Sequence, residues 1–503
     1  MGLCIGCGRV LAAENPYAKI QPANPLNKKP SHDFIFLEPQ KATLTKNEVY
    51  NQYAIGLNRF MQSNVRSAYA DFAVLIQSIN PSDYAYLQLA TKMADIGLFN
   101  LAELSLKKVY DKEISNILTE EIKRFYFPSA KLSRQDEIYL GEVFSNIIYN
   151  DQSREATAEL VKNTILMQGS DYANYLAALG SLKSGDFENA NKYIDTAISK
   201  NPANMNYSRL KAEILSQGKN PKDALKIVAS IKEQPFISAE YSNKINSLEQ
   251  YILYKTQKSE SIKNYHLGYY YYYEKDLSKA LKALQSAVSS KKKSNKEVYA
   301  LLSRVYYEMK EYEKAEDFAQ KAYDLNKRNV MALLVLGDVN FRNKDYKTAL
   351  KYYESAASKE KNSQIPEIKV AETYQMLDNE KKSKDIIAKI LKTHSDCAEA
   401  YYYMALFDKS REVNYLKHAI SINLTYKDAW IDLARVEIEK QNYRQAKFYL
   451  SIAGYIDEND FRYYYYQGLI AKAEGQTENA DANFKRSLKL NPDYTPAKEE
   501  LNI

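Results

Sequence analysis

Small and apolar residues recur along this chain with two nested periods. The longer one is anchored on an alanine. Ala68, Ala102, Ala156, Ala190, Ala224, Ala280, Ala315, Ala349, Ala446 and Ala480 occupy equivalent local settings, most of them 34 residues apart. Gaps of 54 and 56 residues leave room for one extra helix each, and the gap of 97 closes through Ser383 and one shortened unit.

The shorter period is helical. Twelve places before the anchor stands a small residue (Gly56, Ala90, Ala178, Ala212, Gly268, Ser303, Gly337, Ala371, Ala434, Gly468), usually preceded by a large apolar one. Four places after it comes Phe72, Leu106, Ile194, Leu284, Tyr353, Leu450 or Phe484, and seven places after it another alanine in several units. Offsets of four and seven put these side chains on one face of a helix. Small residues belong where two helices approach closely, because a larger side chain would separate them. Breaks such as KSGDF (183–187) and RNKDY (342–346) supply a turn between two helices. Asn-Pro at 80–81, 201–202 and 491–492 ends the second helix, since the residue before proline disfavours the helical region.

This 34-residue helix–turn–helix pattern resembles the tetratricopeptide repeat family over about 49–494. LLVLGDVNFRNKDYKTALKYYESAASKEKN (333–362) and YYYYQGLIAKAEGQTENADANFKRSLKLNP (463–492) carry it best. Units at 137–170, 205–238 and 364–397 depart from it at Phe144, Lys211 and Glu380, and 398–426 lacks five residues. The resemblance implies an all-α fold: an α-solenoid of about twelve units in a right-handed superhelix, first helices lining the concave side. No unit can bury its apolar face alone, so stability must come from stacking on neighbours.

The expected layout begins with a candidate signal-peptide remnant at 1–12 and a Pro-rich extended leader at 13–48. An N-terminal repeat array follows over 49–238, with an extra helix near 113–136. A connecting helix (239–260), a C-terminal array (261–494) and a short cap (495–503) complete it. The run LCIGCGRVLAA (3–13) lacks a preceding Lys or Arg and is interrupted by Arg9, yet ends like a peptidase site, which favours export or the cell envelope over the cytoplasm.

Composition narrows the chemistry. In 503 residues, 70 Lys and Arg stand against 63 Asp and Glu, a net charge of +7 that is too dilute to argue for nucleic acid. No apolar stretch is long enough for a transmembrane segment. The cysteines, Cys4, Cys7 and Cys397, exclude a disulfide framework, and Cys4-Ile-Gly-Cys7 has no second pair to complete a metal site. Phosphate-loop, zinc-protease, calcium-loop and nucleophile-elbow motifs are missing, and the repeats leave no room for a catalytic domain. No enzyme activity, cofactor or metal is expected.

Tyrosine is the distinctive residue: 45 of them, against 16 Phe and one Trp, with runs HLGYYYYYEKD (266–276) and DFRYYYYQG (460–468). Part of each run must be core, because consecutive helical residues point around the whole cylinder. In the family's geometry, groove-facing residues lie 18, 15, 11 and 8 places before the anchor. Those places hold Tyr50 and Tyr53, Tyr172 and Tyr175, then Tyr265, Tyr269, Tyr272, Tyr307, Tyr402 and Tyr465, with the charged Arg304, Asp338 and Arg435. The row is expected to be a binding surface, since Tyr offers rigid contact area at low entropic cost. Two functions follow: a protein-interaction scaffold that takes a peptide or protein segment in its groove, or a cell-envelope factor that binds a glycan or polymer on its tyrosines. The interspersed charges favour the peptide.

Overall fold

The computed structural model describes residues 46–78, 85–109, 112–218, 221–234, 239–288, 295–361, 363–423, 426–457 and 459–503. The signal-remnant segment, nearly all of the leader, Cys4 and Cys7 lie outside these residues. Among the described residues, the chain forms 28 helices, 24 of them in twelve consecutive pairs.

In chain order, these begin with the pairs α1–α2 (Lys46–Met61, Val65–Ser78) and α3–α4 (Ala85–Asp95, Phe99–Lys108), then the unpaired α5 (Lys112–Tyr126). The pair α6–α7 (Arg134–Ile148, Ser153–Lys162) is followed by the short α8 (Thr164–Gly169). Next come α9–α10 (Asp171–Lys183, Phe187–Lys200) and α11–α12 (Met205–Gln217, Pro221–Lys232), then the unpaired α13 (Ala239–Thr256). The middle pairs are α14–α15 (Glu260–Tyr273, Leu277–Ala287), α16–α17 (Lys296–Glu308, Tyr312–Leu325) and α18–α19 (Val330–Arg342, Tyr346–Lys359). They continue with α20–α21 (Ile365–Met376, Glu380–Thr393) and the shortened α22–α23 (Ala398–Phe407, Glu412–Ile422). The last pairs are α24–α25 (Lys427–Glu439, Tyr443–Ile456) and α26–α27 (Phe461–Ala473, Thr477–Leu490), capped by α28 (Thr495–Leu501). By packing, residues 228–429 form one compact unit, and the rest of the described chain, before 228 and after 429, forms the other. Within each unit a helix packs chiefly on its neighbours in sequence, as expected where each pair completes its core with the next.

Sequence sets the spacing inside a pair. Every anchor, Ser383 included, is buried. The small residue before it faces the side chain four places after it, and the two sizes compensate. A Cβ added to Gly337 would stand 2.4 Å from Cε1 of Tyr353, so only hydrogen fits opposite that ring. At Ile194, Ile387 and Leu450 the small residue is alanine, Ala178, Ala371 and Ala434, whereas Leu284 faces Gly268. Where the facing residue shrinks to Ala319, the small residue grows to Ser303.

The turn inside ten of the twelve pairs is equally regular. Five places before the anchor the backbone enters the left-handed region, at Ser63, Gly97, Asp151, Gly185, Lys275, Lys310, Lys344, Asp378, Gln441 and Gly475. In nine of these turns the next residue's N–H donates to a carbonyl five residues back, as Asp345 does to Asn340 at 3.0 Å, which satisfies an end group of the first helix. That next residue often caps the second helix as well. Asp186, Asp276, Asp345 and Asn379 accept from backbone N–H groups three residues on, at 3.0–3.2 Å.

Candidate partner-binding face

Within the 228–429 unit, successive first helices present their corresponding positions side by side. The rung eleven places before the anchor carries Tyr269 on α14, Arg304 on α16, Asp338 on α18 and Glu372 on α20. Arg304 is buried and donates from its guanidinium to Asp338 Oδ2 at 2.9 Å. The other Asp338 oxygen accepts from the Tyr353 hydroxyl at 2.7 Å. Glu308 takes a second Arg304 donor at 2.5 Å. Lys369 pairs with Glu372 at 2.9 Å.

The charge states follow from these contacts. Burial works against the Arg304 cation, but Tyr272, Glu308 and Asp338 more than offset it and hold the guanidinium charged. Burial, and then Asp338, push the Tyr353 hydroxyl far above its ordinary range, so it stays a donor. Tyr307 lies beside the Arg304 guanidinium, 5.3 Å from its ring centroid, and is pushed up to about 12, first by burial and then by Asp338.

Tyrosines stand against this polar run. Tyr265 and Tyr269 meet edge to face with centroids 5.2 Å apart, and Tyr269 stacks on Tyr273 at 5.9 Å. Tyr265, Tyr269 and Tyr307 are half-buried against an apolar cluster that includes Tyr272, Leu301 and Val305. Further along, Tyr402 meets Tyr403 at 5.7 Å and Tyr426 at 5.2 Å, both nearly perpendicular.

Of the residues expected to face a groove, Tyr265, Tyr269, Tyr272, Arg304, Tyr307 and Asp338 are brought together. Tyr402 belongs to the same unit, on α22. Arg435 and Tyr465 belong to the other unit. There Arg435 pairs with Glu439 at 2.6 Å, and Tyr465 packs between Phe484 and Tyr494, 5.9 and 5.2 Å away. Open exposure is corrected at three positions: Tyr272, Arg304 and Asp338 are 5%, 3% and 8% exposed. The reason is that opposite charges one repeat apart close on each other and draw the neighbouring tyrosine over them. Tyr172 and Tyr175 are likewise buried, in a stack that continues to Tyr207.

Sequence reasoning missed Tyr353, Lys369 and Glu372. Tyr353 sits in a place that reads as pure core, and nothing in the pattern shows that its hydroxyl reaches a carboxylate. Glu372 was within reach, because it continues the rung of Arg304 and Asp338 by one more period.

Among the described residues, no group of three His, Cys, Asp or Glu side chains is placed to hold a metal ion, and no helix is long and apolar enough to cross a membrane.

These features define an all-helical protein built from stacked helix-pair repeats. Family models match at four places: the Fis1 C-terminal tetratricopeptide repeat at 173–220, and tetratricopeptide repeats at 296–329, 322–364 and 461–494. At these four places the chain carries tetratricopeptide repeats. Among solved structures, it is similar to a chain of the APC/C hetero-tetramer Cut9–Hcn1, at 12% identity over 90% of this chain and 95% of that one, with a TM-score of 0.43. It is also similar to yeast Tom70, at 12% identity over 70% and 91% of the two chains, with a TM-score of 0.36. A third similar structure is pilF of Pseudomonas aeruginosa, at 16% identity over 47% and 96%, with a TM-score of 0.28. The comparison with curated proteins gave no match.

Proposed function

We propose that this protein is a non-catalytic interaction scaffold that takes a peptide or protein segment along the first-helix face of its repeats. Tetratricopeptide arrays fit a protein-interaction role in general. The observation that carries the finer reading is the row of half-buried tyrosines at Tyr265, Tyr269, Tyr307 and Tyr402, set beside fixed charges. Rigid rings give contact area, and neighbouring carboxylates and cations give direction to a polar backbone.

Photo-crosslinking tests the reading. A crosslinking residue is placed at Tyr265, Tyr307 or Tyr402, and as controls at the exposed second-helix positions Lys282, Lys351 and Lys384. In lysate of the source organism, the first-helix positions should capture one common protein and the controls should not. Capture from the second-helix positions alone overturns the reading. Recovery of carbohydrate in place of protein supports the glycan-binding alternative.

A further inference from the structure

The last turn of the unpaired α5 runs into residues 127–133, which leave the helical pattern before α6 begins. The neighbouring repeats hold this stretch as they would hold a separate peptide. Three asparagine side chains donate to its carbonyls: Asn201 and Asn204 to Phe127 at 3.1 Å each, and Asn206 to Phe125 at 2.8 Å. In the other direction, the Ser129 N–H donates to Asp171 Oδ2 at 2.8 Å. These bonds read main-chain groups, which any extended segment offers. The matching asparagine of the 228–429 unit, Asn329, instead donates to Glu297 within its own repeats, at 2.9 Å.

The stretch lies against the tyrosines expected to line a groove here. Phe99 meets both Phe127 and Tyr172, with ring centroids 5.4 and 4.8 Å away. Asp171 Oδ2 also accepts from the Tyr207 hydroxyl at 3.3 Å, at the end of the Tyr172–Tyr175–Tyr207 stack. Pro128 keeps Phe127 extended and brings no N–H that would need a partner. The fit is nonetheless incomplete. Asp171 is fully buried, and among the described residues its Oδ1 has no hydrogen-bond partner. A buried acceptor left unmet is costly, and one more N–H would meet it. Ser129, Ala130 and Lys131 are exposed, which leaves the stretch open to solvent on its outer side.

We propose that residues 125–131 are a built-in occupant of a peptide groove formed by α9, α11 and the connection before α11, and that an extended aromatic–Pro segment of a partner takes their place. This rests on first-helix faces being peptide-binding surfaces, and it adds a second such face with its partner's chemistry. The occupant is tethered at both ends and competes at high effective concentration, so a free segment gains access only as the tethered one loosens.

The test uses the full chain and the fluorescein-labelled peptide RFYFPSAK (124–131), read by anisotropy. The double variant Phe127→Ala/Pro128→Gly loosens the tethered copy and leaves the asparagines in place. It should bind the peptide about ten-fold or more tighter than wild type does. Adding Asn201→Ala/Asn206→Ala, which spares the helix cap at Asn204, should remove most of that gain. In wild type, the Ser129 amide should exchange its hydrogen faster than the amides of α9 and α11, as local release requires. No gain in the double variant, a gain that survives loss of the asparagines, a double variant that does not fold, or a Ser129 amide no faster than those of α9 overturns the proposal. Crosslinking from Tyr265, Tyr307 and Tyr402 concerns the 228–429 unit, so the scaffold reading can survive this failure.

Discussion

Gly468 and Phe484 share one space: a Cβ on Gly468 would stand 2.4 Å from Cε1 of the Phe484 ring, which is fully buried. The corresponding positions in the preceding pair hold Ala434 and Leu450, one carbon larger and one ring smaller. Gly468→Ala is therefore expected to destabilise by about 1–3 kcal/mol through overpacking, despite the better helix propensity of alanine. The double variant Gly468→Ala/Phe484→Leu recreates the neighbouring solution and should recover much of that loss. Denaturant unfolding of the four members of the cycle checks this, with a coupling above about 0.5 kcal/mol expected.

The left-handed turn residues predict an opposite change. Lys310 and Lys344 both have φ of 64°, a region that costs an L-residue about 1–2 kcal/mol. Glycine removes that cost but loses about 0.5–1 kcal/mol of chain entropy. Lys310→Gly and Lys344→Gly should each raise stability by up to about 1 kcal/mol, and Gly475→Lys should lower it. Shifts in denaturation midpoint in the reverse directions would contradict the assignment of these turns.

Glu137 predicts a pH dependence. It is buried on α6 and accepts from Asn100 at 2.6 Å (backbone N–H) and 2.9 Å (side-chain amide), and it also bonds Tyr69. Burial outweighs these bonds and the distant Lys131 charge and raises its pKa to about 7. Because the folded value lies above the unfolded one near 4.5, the folded state favours the protonated acid. Its contribution is complete below about 4.5 and is lost as pH rises through about 7, on the order of 3 kcal/mol. Wild type should lose more stability than Glu137→Gln between pH 5 and pH 8. Parallel pH profiles for the two proteins would rule this out.

The Arg304–Asp338 pair predicts an asymmetry between removing one charge and removing both. Asp338→Leu leaves a buried guanidinium short of its carboxylate and should cost about 3–5 kcal/mol. Arg304→Met together with Asp338→Leu should cost far less, because a well-packed apolar pair of similar volume replaces the ions. Tyr353→Phe, which deletes only the hydroxyl bond to Asp338, should cost about 1–3 kcal/mol. Thermal and denaturant unfolding rank the three, and a double variant as damaged as Asp338→Leu would refute the argument.

The helix pairs were legible in the sequence because close approach demands small residues, and alanine or glycine every 34 residues cannot be hidden. The turns were legible as polar breaks, RNKDY (342–346) included, but their left-handed residue was marked only where it is glycine, at Gly97, Gly185 and Gly475. At Lys275, Lys310, Lys344 and Gln441 the repeat's geometry imposes a left-handed residue on side chains that do not prefer it. The candidate face was half legible. Helical spacing put Tyr265, Tyr269 and Tyr307 near one another, but a run such as Tyr269–Tyr273 names no direction by itself. The spacing of Arg304 and Asp338 by one repeat shows periodicity but not that the two side chains meet.

That spacing also bears on how such an array can grow. Repeat proteins lengthen by copying whole units, and most junctions here join apolar surfaces that any copy would satisfy. The junction between α16 and α18 is different, because the buried Arg304, besides its own-helix partner Glu308, reaches Asp338 on the very next unit. A unit inserted or excised there would take from a buried cation one of its two carboxylates. Duplication is thus penalised at this seam, which favours one order of the units on either side.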